Sequence, residues 1–150
     1  MKATKAQIDE FLVQPHIALA GYSMKKNKFG TTVYNTLKEK GLNLYPVNPA
    51  GGQTPEGEPV YENLSALPNQ VKALYIVTKP EVTQELVSEA IEKGFTHIWV
   101  QQMSDNKMVK EQLKELPNSV TGQCILMHAN PAGFHKFHWW LVKFFGKLPA

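Results

Sequence analysis

The stretch that most constrains this chain is Ile17 to Gly30, IALAGYSMKKNKFG, where an unbroken apolar run gives way to a glycine, a hydroxyl and three lysines. Four consecutive apolar residues, Ile17 to Ala20, suit a strand buried on both faces of a parallel sheet. Gly21 lets the backbone leave that sheet and approach a ligand with no Cβ in the way. Beyond Gly30, Thr31 and Thr32 lead into VYNTLKEKG, where Val33 and Leu37 share a helix face and Gly41 is placed to end the helix. Strand, glycine turn, helix is the order these residues favour. N–H groups exposed at such a helix start, aided by the helix dipole, attract an anion. Ser23 can add a hydroxyl donor, and Lys25, Lys26 and Lys28 add positive charge.

The turn alone is not diagnostic, because a bare Gly-x-Ser also makes an ordinary tight connection flanked by solvated lysines. The full G-x-G-x-x-G fingerprint is absent, with only Gly21 and Gly30 present across a longer loop. The next strand, Leu42 to Val47, sharpens the reading. It ends in Asn48 and Pro49, followed by Ala50, Gly51 and Gly52. In a dinucleotide fold the end of this strand meets the adenosine ribose, and NAD binders place Asp or Glu there. Neutral Asn48 points away from NAD and leaves NADP or coenzyme A open.

The remaining pattern alternates strands and helices. Thr4 to Val13 predicts a short amphipathic helix with Ile8, Phe11 and Leu12 on one side, ended by Pro15 and packed on the sheet edge. Ala50 to Pro59, dense in Gly and Pro, is a loop; Val60 and Tyr61 form a very short strand, and Glu62 to Pro68 a single helical turn. Lys72 to Thr78 is a buried strand. Pro80 opens a helix with Val82, Leu86, Ala90 and Ile91 at helical spacing up to Gly94. Thr96 to Gln101 is the next strand, Ser104 caps a helix carrying Met108, Val109, Leu113 and Leu116, and Val120 to Met127 is the last strand. This rhythm predicts a Rossmann-like α/β domain, a doubly wound parallel sheet in three αβα layers, with ligand at the carboxyl ends of the strands. Gly21, Asn48, Thr78 and Gln101 all fall at such ends, which implies one crevice.

Four short motifs, GYS at Gly21–Ser23, VNP at Val47–Pro49, VTKPE at Val77–Glu81 and WVQQ at Trp99–Gln102, resemble in order and spacing the small stand-alone members of the coenzyme A-binding domain family. These are similar to the CoA-binding domain of succinyl-CoA synthetase α chains and of related acyl-CoA synthetases. The resemblance runs from about Pro15 to Asn130. It implies that Gly21, Tyr22 and Ser23 lie at the phosphates, Val47, Asn48 and Pro49 near the adenosine, and Thr78, Lys79 and Pro80 along the ligand's path. With Lys25, Lys26, Lys28, Gly30 and Gln101 these make the expected cofactor-binding set. One departure is the loop after Ser23, where lysines replace the further glycines of the synthetase version. Those synthetases also use a phosphorylated histidine and further domains that this chain lacks, so binding of CoA or a short acyl-CoA without catalysis is the expectation.

Composition narrows the alternatives. The 150 residues fit one domain, and 43% hydrophobic with 19% charged residues exclude wholesale disorder. A formal net charge of +3 suits anionic small molecules and falls short of the basic stripe of a nucleic-acid binder. Cys124 is the sole cysteine, so no internal disulfide can form; with no leader-like start and no apolar run near the roughly 18 residues of a membrane span, a cytoplasmic setting is expected. Paired carboxylates, a Gly-x-Ser-x-Gly elbow and a Walker lysine are all missing. Cys124, His128, His135 and His138 have ligand-like spacing, and a strand would put the first two on one face. Cys124 nevertheless reads as a small core residue in CILM and the two later histidines as aromatic packing, so no metal is expected. The family resemblance adds a second role for Cys124, a mixed disulfide with the CoA thiol. In the tail, GFHKFHWWLVKFFGKLPA, Phe134, Phe137, Leu141, Phe144 and Phe145 predict an aromatic-rich helix that covers the sheet or forms a homodimer contact, ahead of lying on a membrane. A CoA-binding module thus leads, with an NADP-dependent oxidoreductase and an interaction protein with a vestigial crevice as the alternatives.

Overall fold

The computed structural model describes residues 2–25 and 27–129. Lys26 and the aromatic tail, with His135 and His138, lie outside the described residues. The elements are α1 (Lys5–Leu12), β1 (Ile17–Ala20), α2 (Phe29–Glu39), β2 (Leu44–Val47), a 3-10 turn (Leu64–Ala66), β3 (Ala73–Ile76), α3 (Pro80–Glu92), β4 (His97–Gln101), α4 (Lys107–Leu113), β5 (Ser119–Gln123) and a second 3-10 turn (Ile125–Met127). All five strands pair in parallel, in the order β2-β1-β3-β4-β5. The chain therefore steps from β1 outward to β2 and then returns past β1 to β3, so the order reverses between β1 and β3. In open α/β sheets such a reversal leaves a crevice outside the carboxyl ends of the two strands.

Alternation along each strand makes the two cores. Ile17, Leu19, Ala73, Tyr75, Trp99 and Val120 point to one face and pack with Phe11 of α1 and with Val33, Tyr34 and Leu37 of α2. Ala18, Ala20, Leu74, Ile76, Ile98 and Val100 point to the other and meet Val87 and Ala90 of α3 and Val109 and Leu113 of α4. Every residue of β1 and β3 is buried, as central parallel strands require. On the first face Phe11 meets Trp99 edge-on at 5.5 Å between ring centres, fixing α1 over β4 towards the β5 edge. Tyr61 forms only a single parallel bridge to Val47, held by Asn48 N–H to the Tyr61 carbonyl and Tyr61 N–H to the Pro46 carbonyl, both 2.9 Å.

Three expectations are corrected. In α3 the buried residues are Thr83, Val87 and Ala90, while Val82 and Ile91 are 43% and 41% exposed. The helix is rotated because Thr83 seals its start: its Oγ1 lies 2.8 Å from Thr78 Oγ1 and donates to the Lys79 carbonyl at 3.1 Å. The cap of α4 is Asn106, whose Oδ1 accepts from Val109 N–H at 2.9 Å, while Ser104 is buried two residues earlier in the turn after β4. The last strand stops at Gln123 rather than Met127, because its partner β4 ends at Gln101 and leaves nothing for Cys124 onward to pair with. Cys124 instead precedes the second 3-10 turn, and its ladder-like alignment with His128 does not exist.

Candidate functional site

The turn after β1 is built by crowding. Gly21 has φ +115°, and a Cβ on it would fall 2.3 Å from the Val77 carbonyl oxygen at the end of β3. A Cβ on Gly30, in the first turn of α2, would fall 2.0 Å from the Gly21 carbonyl oxygen. The two glycines let β3, the turn and α2 stack backbone on backbone. The reason for Gly21 thus differs from the expected one: the space its missing Cβ leaves is filled by Val77, not by ligand. The stack draws the N-terminus of α2 against the tips of β1 and β3. Thr31 stitches the turn to the helix by donating from Oγ1 to the Ser23 carbonyl and accepting from Ser23 N–H at 3.3 Å.

Asn48 ties the second loop to the first. Its Nδ2 donates to the Tyr22 carbonyl at 2.6 Å and its Oδ1 accepts from Ala50 N–H at 2.8 Å. Aspartate could make the second bond but not the first, so a neutral amide here has a structural reason independent of any ribose. Tyr22 itself is buried, with its ring edge-on to Tyr34 at 4.9 Å. Burial first, and the Glu56 carboxylate second, push its phenol above the ordinary value, so the hydroxyl stays protonated.

These loops enclose a cavity of about 600 Å³, lined by Ala20, Gly21, Tyr22, Ser23, Lys28, Phe29, Gly30, Val47, Asn48, Pro49, Glu62, Asn63, Val77, Thr78, Lys79, Val82, Glu85, Leu86 and Glu89. It sits where the strand order reverses. The structure brings together ten of the expected residues there: Gly21, Tyr22, Ser23, Lys28, Gly30, Val47, Asn48, Pro49, Thr78 and Lys79. Lys25 and Pro80 stand beside the cavity in sequence without lining it; Pro80 is the first residue of α3. Lys26 lies outside the described residues. Gln101 belongs elsewhere: it is 2% exposed, and its Oε1 accepts from Tyr75 Oη at 2.8 Å and from Ile125 N–H at 3.1 Å. Being at a strand's carboxyl end put it near the rim, but its side chain points into the core on the α1 and α2 side.

The groups of this cavity suited to an anion are helix starts. Two helices begin on it, α2 at Lys28–Phe29 and α3 at Lys79–Pro80, and neither N-terminus has a side-chain cap. The helix starts away from the cavity are capped, α1 by Thr4 and α4 by Asn106. Uncapped N–H groups and two aligned dipoles, with Lys28 and Lys79 alongside, make a place for negative charge. Ser23 accepts from Lys25 N–H at 3.1 Å and keeps its own proton to donate. Diphosphate-like chemistry at this rim and an extended, partly apolar ligand along Val47, Pro49, Val77, Val82 and Leu86 fit the residues present.

Sequence reasoning missed the α3 wall, Val82, Glu85, Leu86 and Glu89. Their spacing of three, four and seven residues marks one helix face. That mixed acidic and apolar face was readable as a unit, yet only the rotation set by Thr83 turns it to the cavity. Cys124 is 1% exposed within the core, does not line the cavity, and burial pushes its thiol up, against a role in thiol exchange. Among the described residues no group of three or more metal-ligating side chains comes together, and no helix is long and apolar enough to cross a membrane.

Solved structures share this fold. A conserved hypothetical protein from Pyrococcus furiosus is 31% identical, covering 73% of this chain and 95% of its own, with a TM-score of 0.68. A hypothetical protein from Pyrococcus horikoshii OT3 is 30% identical, covering 82% and 87%, with a TM-score of 0.73. A protein from Thermus thermophilus, 22% identical over 81% and 93% at a TM-score of 0.70, shares the fold. No functionally curated protein matches the chain. The family described as CoA binding domain matches residues 15–130, the span that holds the sheet, both glycines and both uncapped helix starts. By that match the chain belongs to the CoA-binding domain family.

Proposed function

We propose that this protein binds coenzyme A or a short acyl-CoA, without transforming it, as a cytoplasmic module that senses, stores or presents the thioester. The observation that carries the proposal is the pair of uncapped helix starts converging with Lys28 and Lys79 on one cavity at the β1–β3 reversal. Diphosphate oxygens take the α2 and α3 N–H groups and the Ser23 hydroxyl. The adenosine lies by Val47 and Pro49, held in place by the Asn48 brace, and the pantetheine arm follows Val77, Val82 and Leu86. A binding role rather than a catalytic one is supported by the lining itself, where the serine is paired with backbone and no described histidine or cysteine stands by it.

Isothermal calorimetry tests this directly. CoA binds measurably and at least about tenfold more tightly than NAD, since neutral Asn48, rather than Asp or Glu, follows the last residue of β2. Equal affinity for NAD and CoA, or no binding of CoA, would reject the proposal.

A further inference from the structure

The cavity changes sign along its length. Among the described residues the cationic side chains that line it, Lys28 and Lys79, stand at the rim where the helices begin. Away from the rim, Glu85 and Glu89 line it from α3, while Glu62, from the segment after β2, stands at the β2 end of the rim beside Gly51. At 1.5 Å per residue, Glu85 and Glu89 lie roughly 8 and 14 Å along the helix axis from Pro80. Among the described residues none of the three is in an ion pair. The exposed Val82 and the half-buried Leu86 share their helix face, so the far part of the cavity is apolar contact surface flanked by unneutralised carboxylates.

A ligand held by its phosphates at the rim and extended along α3 delivers its free end to those carboxylates. We infer that this cavity selects the terminal group of its ligand by charge: an uncharged or cationic acyl group is accepted, and an anionic one, as carried by the thioester of a dicarboxylic acid, is rejected. The inference rests on the CoA reading for the phosphate end, while the specificity comes from Glu85 and Glu89. An additional carboxylate would be placed beside two like charges on the α3 wall, exposed Glu85 and half-buried Glu89, where like-charge repulsion opposes it and weakens as salt is raised. Exclusion by like charge is a cheap route to specificity, since it needs no contact to the accepted ligand.

Calorimetry at low, fixed ionic strength with CoA, acetyl-CoA, β-alanyl-CoA and succinyl-CoA tests it on the full chain and on the double variant Glu85→Gln, Glu89→Gln. These are surface or half-buried positions, and Gln is as good a helix residue as Glu, so the variant keeps its fold. The expected result is acetyl-CoA and β-alanyl-CoA within a few-fold of CoA, succinyl-CoA at least about tenfold weaker than acetyl-CoA, and that gap reduced to under about threefold in the variant. Equal binding of succinyl-CoA and acetyl-CoA to the wild-type chain, or a gap that persists in the variant, overturns the charge selection while leaving CoA binding intact. Failure of CoA itself to bind overturns the CoA reading, and the selection with it.

Discussion

Gly30 occupies the first turn of α2, a place where alanine is ordinarily the better helix residue by about 1 kcal/mol. Here the sign reverses, because the added Cβ would meet a backbone oxygen, that of Gly21, at 2.0 Å, and a carbonyl held between β1 and α2 cannot swing aside. Gly30→Ala is expected to lower stability by about 2 kcal/mol or more in denaturant titration, as an overpacked substitution does; a neutral or stabilised variant would show that the stack is looser than its distances imply. At the same scale, the role of Asn48 was only half legible. Its position at the end of β2 followed from the pattern, but the reason for its amide, donation to the Tyr22 carbonyl 26 residues earlier, is a contact that spacing cannot announce. Gln101 shows the converse, since the strand end was correctly placed while side-chain direction depended on Tyr75 and Ile125.

At the scale of elements, the contrast between capped and uncapped helix starts carries the functional argument. Lys28 and Lys79 occupy N-cap positions where Ser, Thr, Asp or Asn would cap the helix through a side chain, and neither helix has a side-chain cap. Both lysines are exposed, which bounds their contribution. Lys28→Ala and Lys79→Ala should each weaken CoA binding by about 1 kcal/mol, roughly fivefold, with the loss fading as salt is raised. A loss that does not change with salt would assign the lysines a packing role instead. Conversely, Lys79→Asp should cap α3 and raise stability slightly while abolishing most of the binding, because the carboxylate occupies the place of the phosphate. Thermal unfolding and calorimetry on the same preparation separate the two effects.

For the molecule as a whole, acid sensitivity is set in part at the β5 end. His128 is half-buried, its Nε2 donates to Gln123 Oε1 at 2.9 Å, and its ring lies 6.0 Å from that of Trp99. Desolvation lowers its folded pKa below 6.5, opposed by the Asp9 carboxylate on α1. The folded state then prefers the neutral ring, so the stability this preference supplies is present above about pH 6.5 and is lost as pH falls through the lower folded value, where the unfolded chain binds the proton more readily. Denaturation midpoints should fall between about pH 7.5 and pH 5, with a shallower slope in His128→Gln; an unchanged slope would move the acid-sensitive group elsewhere.

The sequence by itself determined the order of strands and helices, the parallel sheet, the glycine turn and the segments that carry ten of the lining residues, because each rests on local pattern: runs of apolar residues, helical spacing, and Gly or Pro at the breaks. Only the tertiary structure decided which way those elements face. The rotation of α3 follows from one buried threonine, the end of β5 from where β4 stops, the burial of Gln101 and Cys124 from the layer above them, and the meeting of Gly21 with Val77 from the β1–β3 pairing. Each joins residues distant along the chain or ranks one polar contact over another, and a one-dimensional pattern records neither.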